Sequence, residues 1–235
     1  MERETVIEFD GVVKRFDDRT VLDGVSFSVG KGELLVILGP SGTGKSVTLK
    51  HIVGLLEPDA GEVRVKTDKV GYLFQSGALL AWMTVGENVA LPLEETTDLP
   101  AEEIDRRVAA ALEAVGLAGE ADKYPAEISG GMQKRAGLAR SIVRDADVVL
   151  YDEPTSGLDP VTAVTIHRLI VDLNRRRGIT SVVVTHDLAS ALKIADRVLL
   201  LKDGRAVICA SPEEFVQSTL PEVKAFIDAM KVENL

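Results

Sequence analysis

The segment at residues 39–46 constrains the fold of this chain more than any other, because it reads Gly-Pro-Ser-Gly-Thr-Gly-Lys-Ser. It follows the apolar run Leu34–Leu38 and precedes a stretch that suits a helix. In the pattern G-x-x-x-x-G-K-[ST], glycines allow a tight turn whose N–H groups face phosphate oxygens, and the next helix points its positive dipole end at the anion. The segment therefore predicts a strand, a phosphate-binding loop and a helix, which is typical of an α/β protein that binds a nucleoside triphosphate.

Two side chains at the end of this loop predict how such a ligand would be held. Lys45 provides a mobile cation for the phosphates, and Ser46 provides an oxygen for Mg²⁺. The pattern alone also fits an ordinary glycine-rich turn, but the strand before it and the helix after it favour the phosphate-binding interpretation.

Length and composition limit the class of protein. The chain has 235 residues, enough for one α/β domain with a smaller subdomain, and a net charge of −10, which disfavours nucleic acid and anionic lipid as direct partners. It has one cysteine, Cys209, and no apolar run near the roughly 18 residues that cross a bilayer. We therefore expect a cytosolic protein whose role at a membrane, if it has one, depends on a protein partner.

Short apolar runs separated by Asp-Gly turns predict an antiparallel sheet near the N-terminus. These runs are Thr5–Phe9, Val12–Val13 and Val25–Val29. The helix after the phosphate loop is expected to end near Leu55, and strands are expected at 62–65 and 71–74.

The remaining pattern predicts a helical insert within an α/β core. Apolar residues recur at helical spacing from Val85 to about Val143, and continuous apolar runs typical of buried parallel strands follow at 148–151 and 181–185. The last expected elements are a helix at Pro160–Arg176, a hairpin of strands 198–201 and 206–208, and helices starting near Ser211 and Leu220. We predict one domain over 1–235, with a nucleotide-binding core at 1–75 and 144–210, a helical subdomain at 76–143 and a helical tail at 211–235.

Two adjacent carboxylates, Asp152 and Glu153, end the buried run at 148–151. Ionised groups at such a place are costly unless a cation needs them, and a Mg²⁺·ATP complex supplies that cation. Asp152 would then hold Mg²⁺, and Glu153 would orient the attacking water. An ordinary acidic turn before Pro154 is the alternative.

Residues 128–133, Ile-Ser-Gly-Gly-Met-Gln, resemble the signature of ATP-binding-cassette (ABC) ATPases. The resemblance covers most of the chain and implies a P-loop ATPase core of RecA-like type, with an N-terminal antiparallel β subdomain and an inserted helical subdomain. It identifies Gln75 with the family's Q-loop glutamine, a metal ligand and catalytic residue, and His186 with the switch histidine that acts beside Glu153 and Lys45. The residues that it implies for binding ATP are Phe16, Gly39, Pro40, Ser41, Gly42, Thr43, Gly44, Lys45, Ser46, Val47, Ser129, Gly130, Gly131, Gln133 and Asp159, and those for Mg²⁺ are Ser46, Gln75 and Asp152.

The signature also makes physical sense as a second phosphate clamp, because Ser129 and two glycines open a helix whose N–H groups can approach an anion. An N-cap followed by a flexible first turn is the structural alternative. In the family this clamp completes the site of the opposite subunit, and the chain holds one copy of each motif. The resemblance therefore implies a head-to-tail homodimer with two ATP molecules between the subunits. Met132 stands where the family usually has glutamine, which leaves the role of the Gln133 side chain open.

Three stretches, 41–52, 74–79 and 129–140, are similar to the ATPase of Mla-type phospholipid transporters, which work with lipid-binding MCE proteins. This resemblance implies a peripheral location at the cytoplasmic face of the inner membrane, an integral membrane permease as partner, an MCE protein and a small regulatory subunit as further partners, and no nucleic acid. It places Trp82 beside the groove for a membrane subunit, although Trp82 could equally pack the helical subdomain. An ATPase of an importer for a small solute such as an amino acid remains the alternative, while the sequence disfavours a DNA- or ribosome-acting cassette, a simple P-loop kinase and a GTPase.

Overall fold

The computed structural model describes residues 3–232, so the ends of the predicted domain at 1–2 and 233–235 lie outside the described residues. The chain forms two compact units. One unit contains the described parts of Met1–Asp68 and Leu173–Leu235, and the other contains Lys69–Asp172.

An antiparallel sheet in the first unit contains β1 (Thr5–Phe16), β2 (Arg19–Gly30) and β4 (Ala60–Val65), in the order β2-β1-β4. Apolar side chains on its inner face are buried, and the Phe9 and Phe27 rings stack with their centroids 4.5 Å apart. The prediction of separate strands at 5–9 and 12–13 is wrong, because β1 is continuous and its pairing with β2 shifts register between Phe9 and Val12 without a break in the strand. An irregularity in the ladder absorbs the Asp-Gly pair without ending the strand.

A second group of strands in this unit carries the phosphate loop. The strands β3 (Leu34–Leu38), β7 (Thr180–Thr185) and β8 (Arg197–Lys202) are parallel, and β9 (Arg205–Ala210) pairs antiparallel with β8. Every residue of β3 and β7 is buried, which explains their continuous apolar sequence. The predicted β8–β9 hairpin is confirmed, with both turn residues in the left-handed region as a two-residue hairpin turn requires.

Four helices of the first unit are α1 (Lys45–Ile52), α6 (Leu188–Ile194), α7 (Pro212–Gln217) and α8 (Pro221–Val232). The first ends earlier than the expected Leu55, because Val53 caps it and the chain turns at Gly54, where φ is 76°. The helix starts predicted near Ser211 and Leu220 are confirmed, and Ser211 forms a capping box with Glu214.

The second unit contains two parallel strands and a group of helices. The strands are β5 (Val70–Leu73) and β6 (Val148–Asp152), and the helices are α2 (Val85–Thr96), α3 (Ala101–Ala114), a 3-10 turn at Pro125–Glu127 and α4 (Gly130–Ile142). The long helix α5 (Pro160–Arg177) starts here and ends in the first unit. The predicted helical character of 85–143 is confirmed, but turns divide the segment.

Among the helices of the described residues, none combines the length and the apolar character needed to span a bilayer.

Candidate nucleotide site

The phosphate loop joins a buried strand to a helix that starts without a side-chain cap. After β3 the chain turns through residues 39–44, and α1 begins at Lys45. Gly44 is the N-cap residue in left-handed conformation, and the first turn of α1 contains no acidic residue. Neither a side-chain cap nor an acidic residue occupies this helix start, and the first N–H groups of an α-helix have no partner within the helix, which suits an anion.

Close contacts with neighbouring strands fix the shape of the loop. A Cβ atom added at Gly39 would lie 2.1 Å from the main-chain oxygen of Leu201 in β8. On the other side, Arg19 Nη2 at the start of β2 donates to the carbonyl oxygen of Gly42 at 3.3 Å, and Thr43 Oγ1 donates to the carbonyl oxygen of Pro40 at 2.9 Å. Strands of both sheets thus set the position of the loop, and only glycine fits at position 39.

The side chain of Lys45 places its own ammonium group at this loop. Its Nζ donates to the carbonyl oxygens of Gly39 at 2.7 Å and Pro40 at 3.0 Å, and the residue is buried. Ser46 and Val47 follow on the first turn of α1 and are half-buried. The ammonium group is thus held within the turn that the sequence predicts to surround phosphate.

His186 and Phe16 extend the site within the same unit. Thr185 of β7 is in register with Leu38 of β3, so the residues that follow them, His186 and Gly39, leave the sheet at the same edge. His186, Gly39 and Ser41 line one open cavity of about 430 Å³. Phe16 ends β1 and is 42% exposed, and Lys14 Nζ lies 5.6 Å from the centroid of its ring. An exposed aromatic face of this kind can stack on a base.

In the second unit, the acidic pair ends β6. Asp152 is 8% exposed, and its Oδ2 accepts a hydrogen bond of 3.1 Å from the Tyr72 hydroxyl group in β5. Burial raises the pKa of Tyr72 above its ordinary value, and the negative charge of Asp152 raises it further, so the hydroxyl group stays a proton donor. Glu153 has a left-handed backbone with φ 46° and is half-buried. The chain therefore leaves the regular strand conformation at the residue predicted to orient water.

Gln75 lies just after β5 and is exposed. Its Nε2 donates to Ser156 Oγ at 3.3 Å, which ties it to the loop after the acidic pair. Its main-chain oxygen accepts a hydrogen bond from Lys134 Nζ.

The signature segment begins α4. Ser129 is the N-cap residue, and its Oγ accepts from the N–H group of Met132 at 3.3 Å, while Ser129 and Gly130 are exposed. Gly131 is buried, and a Cβ atom added there would lie 2.4 Å from Thr162 Cγ2. Asp159 in turn accepts from the N–H and Oγ1–H groups of Thr162 and so caps α5. The start of α4 is thus packed against the start of α5.

Gln133 has a different environment from the other predicted site residues. Its Nε2 donates to the carbonyl oxygen of Pro125 at 2.8 Å, and a weaker contact joins it to the carbonyl oxygen of Ile128 at 3.5 Å. The Gln133 side chain is therefore hydrogen-bonded to the backbone just before the signature, where it can stabilise the conformation of that segment.

The sequence interpretation missed three side chains of these sites: Arg19, Tyr72 and Lys134. A signal for Lys134 was available in the sequence, because it stands four residues before Leu138 and so shares one face of α4 with it. Arg19 and Tyr72 gave no such signal, since their partners are distant in sequence.

Comparison with known proteins places these features in a family. The sequence profile of the ABC transporter family matches residues 22–156, so the chain belongs to that family. It is 40% identical to the intermembrane phospholipid transport system ATP-binding protein MlaF of Escherichia coli (strain K12), over 91% of this chain and 85% of MlaF. It is 38% identical to the probable ribonucleotide transport ATP-binding protein Mkl of Mycobacterium leprae (strain TN), over 99% of this chain and 71% of Mkl.

A solved structure agrees with this assignment. The dimeric post-hydrolysis state of the ATP-binding cassette MJ0796, bound to ADP and Pi, is 32% identical, with a TM-score of 0.78 over 88% of this chain and 98% of the cassette. The predicted fold class, a P-loop ABC ATPase, is confirmed. The chain is an ABC ATPase subunit that binds nucleotide; cassettes of this family form dimers and work with membrane permeases.

The contact at Gly39 gives a direct test of the loop. Gly39→Ala should weaken ATP binding at least about tenfold, or about 1.4 kcal/mol, because the methyl group must displace either the loop or β8. Titration with a fluorescent ATP analogue measures the effect. Gly54→Ala is the matched control: Gly54 has φ 76° and no atom within 4 Å of an added Cβ, so this change should strain the backbone without altering ATP affinity. Wild-type affinity in Gly39→Ala would contradict the account of the loop.

Proposed function

We propose that the chain is the ATP-hydrolysing subunit of a phospholipid transporter of Mla type, bound peripherally at the cytoplasmic face of the inner membrane. The observation that carries the ATPase part of the proposal is the phosphate loop, with Lys45 held at Gly39 and its helix start free of acidic side chains. The phospholipid part is supported by the 40% identity to MlaF over most of both chains.

In this proposal the nucleotide-binding core is formed by 1–75 and 144–210, and the segment 76–143 carries the signature clamp. Phe16 stacks on adenine, the loop at 39–47 binds the phosphates, and His186 contacts the γ-phosphate. Glu153 accepts a proton from the attacking water and orients it. Its position at the end of a buried strand, on a left-handed backbone, supports that role.

Mg²⁺ is proposed to be held by Ser46, Gln75 and Asp152 together with the phosphate oxygens. The described residues contain no group of three or more His, Cys, Asp or Glu side chains that could form a metal site of their own. Mg²⁺ in nucleotide sites commonly uses one or two carboxylates and the substrate phosphates, so the buried carboxylate of Asp152 with its Tyr72 donor fits this arrangement. When bound, the ion would neutralise charge on the transferred phosphoryl group.

We further propose that Ser129, Gly130, Gly131 and Asp159 serve the nucleotide of a second copy of the chain. The exposure of Ser129 and Gly130, at a helix start whose cap is already satisfied, supports this role. The similarity to a dimeric cassette that holds ADP and Pi supports it as well. Nucleotide binding would then favour the closed dimer, and hydrolysis would release it.

The dimer gives the first test of this function. Glu153→Gln should bind ATP without hydrolysing it, because the amide cannot accept the proton, and ATP should therefore trap a dimer visible in size-exclusion chromatography. Lys45→Ala is the contrasting variant: it should lose hydrolysis and stay monomeric with ATP. A Glu153→Gln chain that remains monomeric with ATP would refute the sandwich, and normal turnover by Lys45→Ala would refute the site.

The proposed partners are a membrane permease, an MCE lipid-binding protein and a small regulatory subunit. Trp82, in the turn before α2, is 75% exposed and supports a docking surface for the permease. A small-solute importer is the second candidate function, and the similarity to Mkl, a probable ribonucleotide transport ATP-binding protein, favours it.

Trp82→Ala should weaken retention of the permease, because it removes a large exposed aromatic anchor, while ATP affinity stays unchanged. Pull-down of the permease and mass spectrometry of the co-purified molecules measure both the association and the cargo, and phospholipid is the expected cargo. Tyr124→Ala, at an exposed aromatic residue of the same unit, is the control. Equal loss of permease and ATP binding would count against the docking role, and a small solute in place of phospholipid would favour the second candidate.

A further inference from the structure

Lys134 is a buried cation on the signature helix. It is 6% exposed and lies on the face of α4 that also buries Leu138 and Ile142. Burial lowers the pKa of Lys134 from its ordinary value, and the charges of Glu153 and Asp152 partly oppose this shift. An ammonium group in such a place is destabilising unless it has specific partners.

One partner is the backbone of the Q-loop. Lys134 Nζ donates to the main-chain oxygen of Gln75. Arg140, further along α4, donates to the carbonyl oxygens of Gly77 at 2.9 Å and Ala78 at 2.8 Å. Two cationic side chains of α4 therefore bind the segment after β5. Lys134 binds it at Gln75, whose side chain is proposed to hold Mg²⁺.

The other partners are the carboxylates that end β6. Glu153 and Asp152 both attract the Lys134 charge, and Glu153 does so more strongly. For Arg140, burial is the cause that lowers the pKa of the guanidinium group. Lys134 is thus distinguished by its hydrogen bond to Gln75 together with the attraction of the two carboxylates for its charge.

We propose that Lys134 is a positioning residue for ATP hydrolysis, which holds Gln75 and the Asp152–Glu153 pair in a fixed relation to the signature helix of the same chain. The inference rests on the proposed roles of those residues. Because α4 begins with the clamp for the second subunit's nucleotide, Lys134 joins the parts of one chain that serve two different ATP molecules. A neutral side chain of similar volume would keep the packing of α4 but would leave the Gln75 oxygen and the carboxylates without their cation.

Steady-state ATPase kinetics of the full chain test this role. Lys134→Met should lower kcat about 10- to 100-fold, because the reacting groups lose their alignment. KM and the Kd for ATP should stay within about twofold of wild type, because the phosphate loop is unchanged. Lys134→Arg keeps the charge and the donor, and it should recover most of the lost kcat.

Lys123→Met is the matched control. Lys123 belongs to the same unit but lies at the surface, in an ion pair with Glu120, so its loss should leave kcat unchanged. The inference is overturned if Lys134→Met keeps wild-type kcat. It is equally overturned if Lys134→Met and Lys134→Arg lose activity and thermal stability together, since that result indicates packing alone. A wild-type chain without ATPase activity would contradict the proposed function itself.

Discussion

The contact between Gly39 and the main-chain oxygen of Leu201 is the constraint on which the nucleotide site depends. The loop can present its N–H groups to phosphate only if its backbone turns tightly between a buried strand and the first turn of α1. That turn is pressed against β8, where no side chain larger than hydrogen fits. The core strands β3, β7 and β8 therefore do more than bury apolar area, since their edge sets the place of the loop, of Lys45 and of His186.

A second constraint governs the acidic end of β6. A buried strand that ends in two carboxylates needs donors and cations close by, and the second unit supplies both. Tyr72 donates to Asp152 from the neighbouring strand, and Lys134 supplies a positive charge from α4. The same lysine donates to the main-chain oxygen of Gln75, so the helix that starts with the signature is also bonded to the segment after β5.

The sequence predicts best where a local motif dictates the backbone. The succession of β3, phosphate loop and α1, the acidic end of β6 and the β8–β9 hairpin all follow from short patterns of glycine, charge and apolar residues. Sequence patterns predict less well where tertiary contacts override a local signal. The Asp-Gly pair at 10–11 has the sequence of a turn, but β1 continues through it because it pairs with β2 on one side and with β4 on the other. Tyr72 was missed for a related reason, since its role depends on pairing with a strand distant in sequence.

The central claim is that each chain carries half of one ATP site and half of another, and that a second copy of the chain completes both sites. Cross-linking tests this claim most directly. Two variants are made in the Glu153→Gln background, one with Ser41→Cys and the other with Ser129→Cys. The two variants are mixed, and a short thiol-reactive cross-linker is added. Both serines are exposed, and burial raises the pKa of the native Cys209 thiol to about 11, which keeps its background reaction low. The account predicts a covalent dimer that forms in the mixture when ATP is present and in neither variant alone. A mixture that yields no covalent dimer with ATP would contradict it.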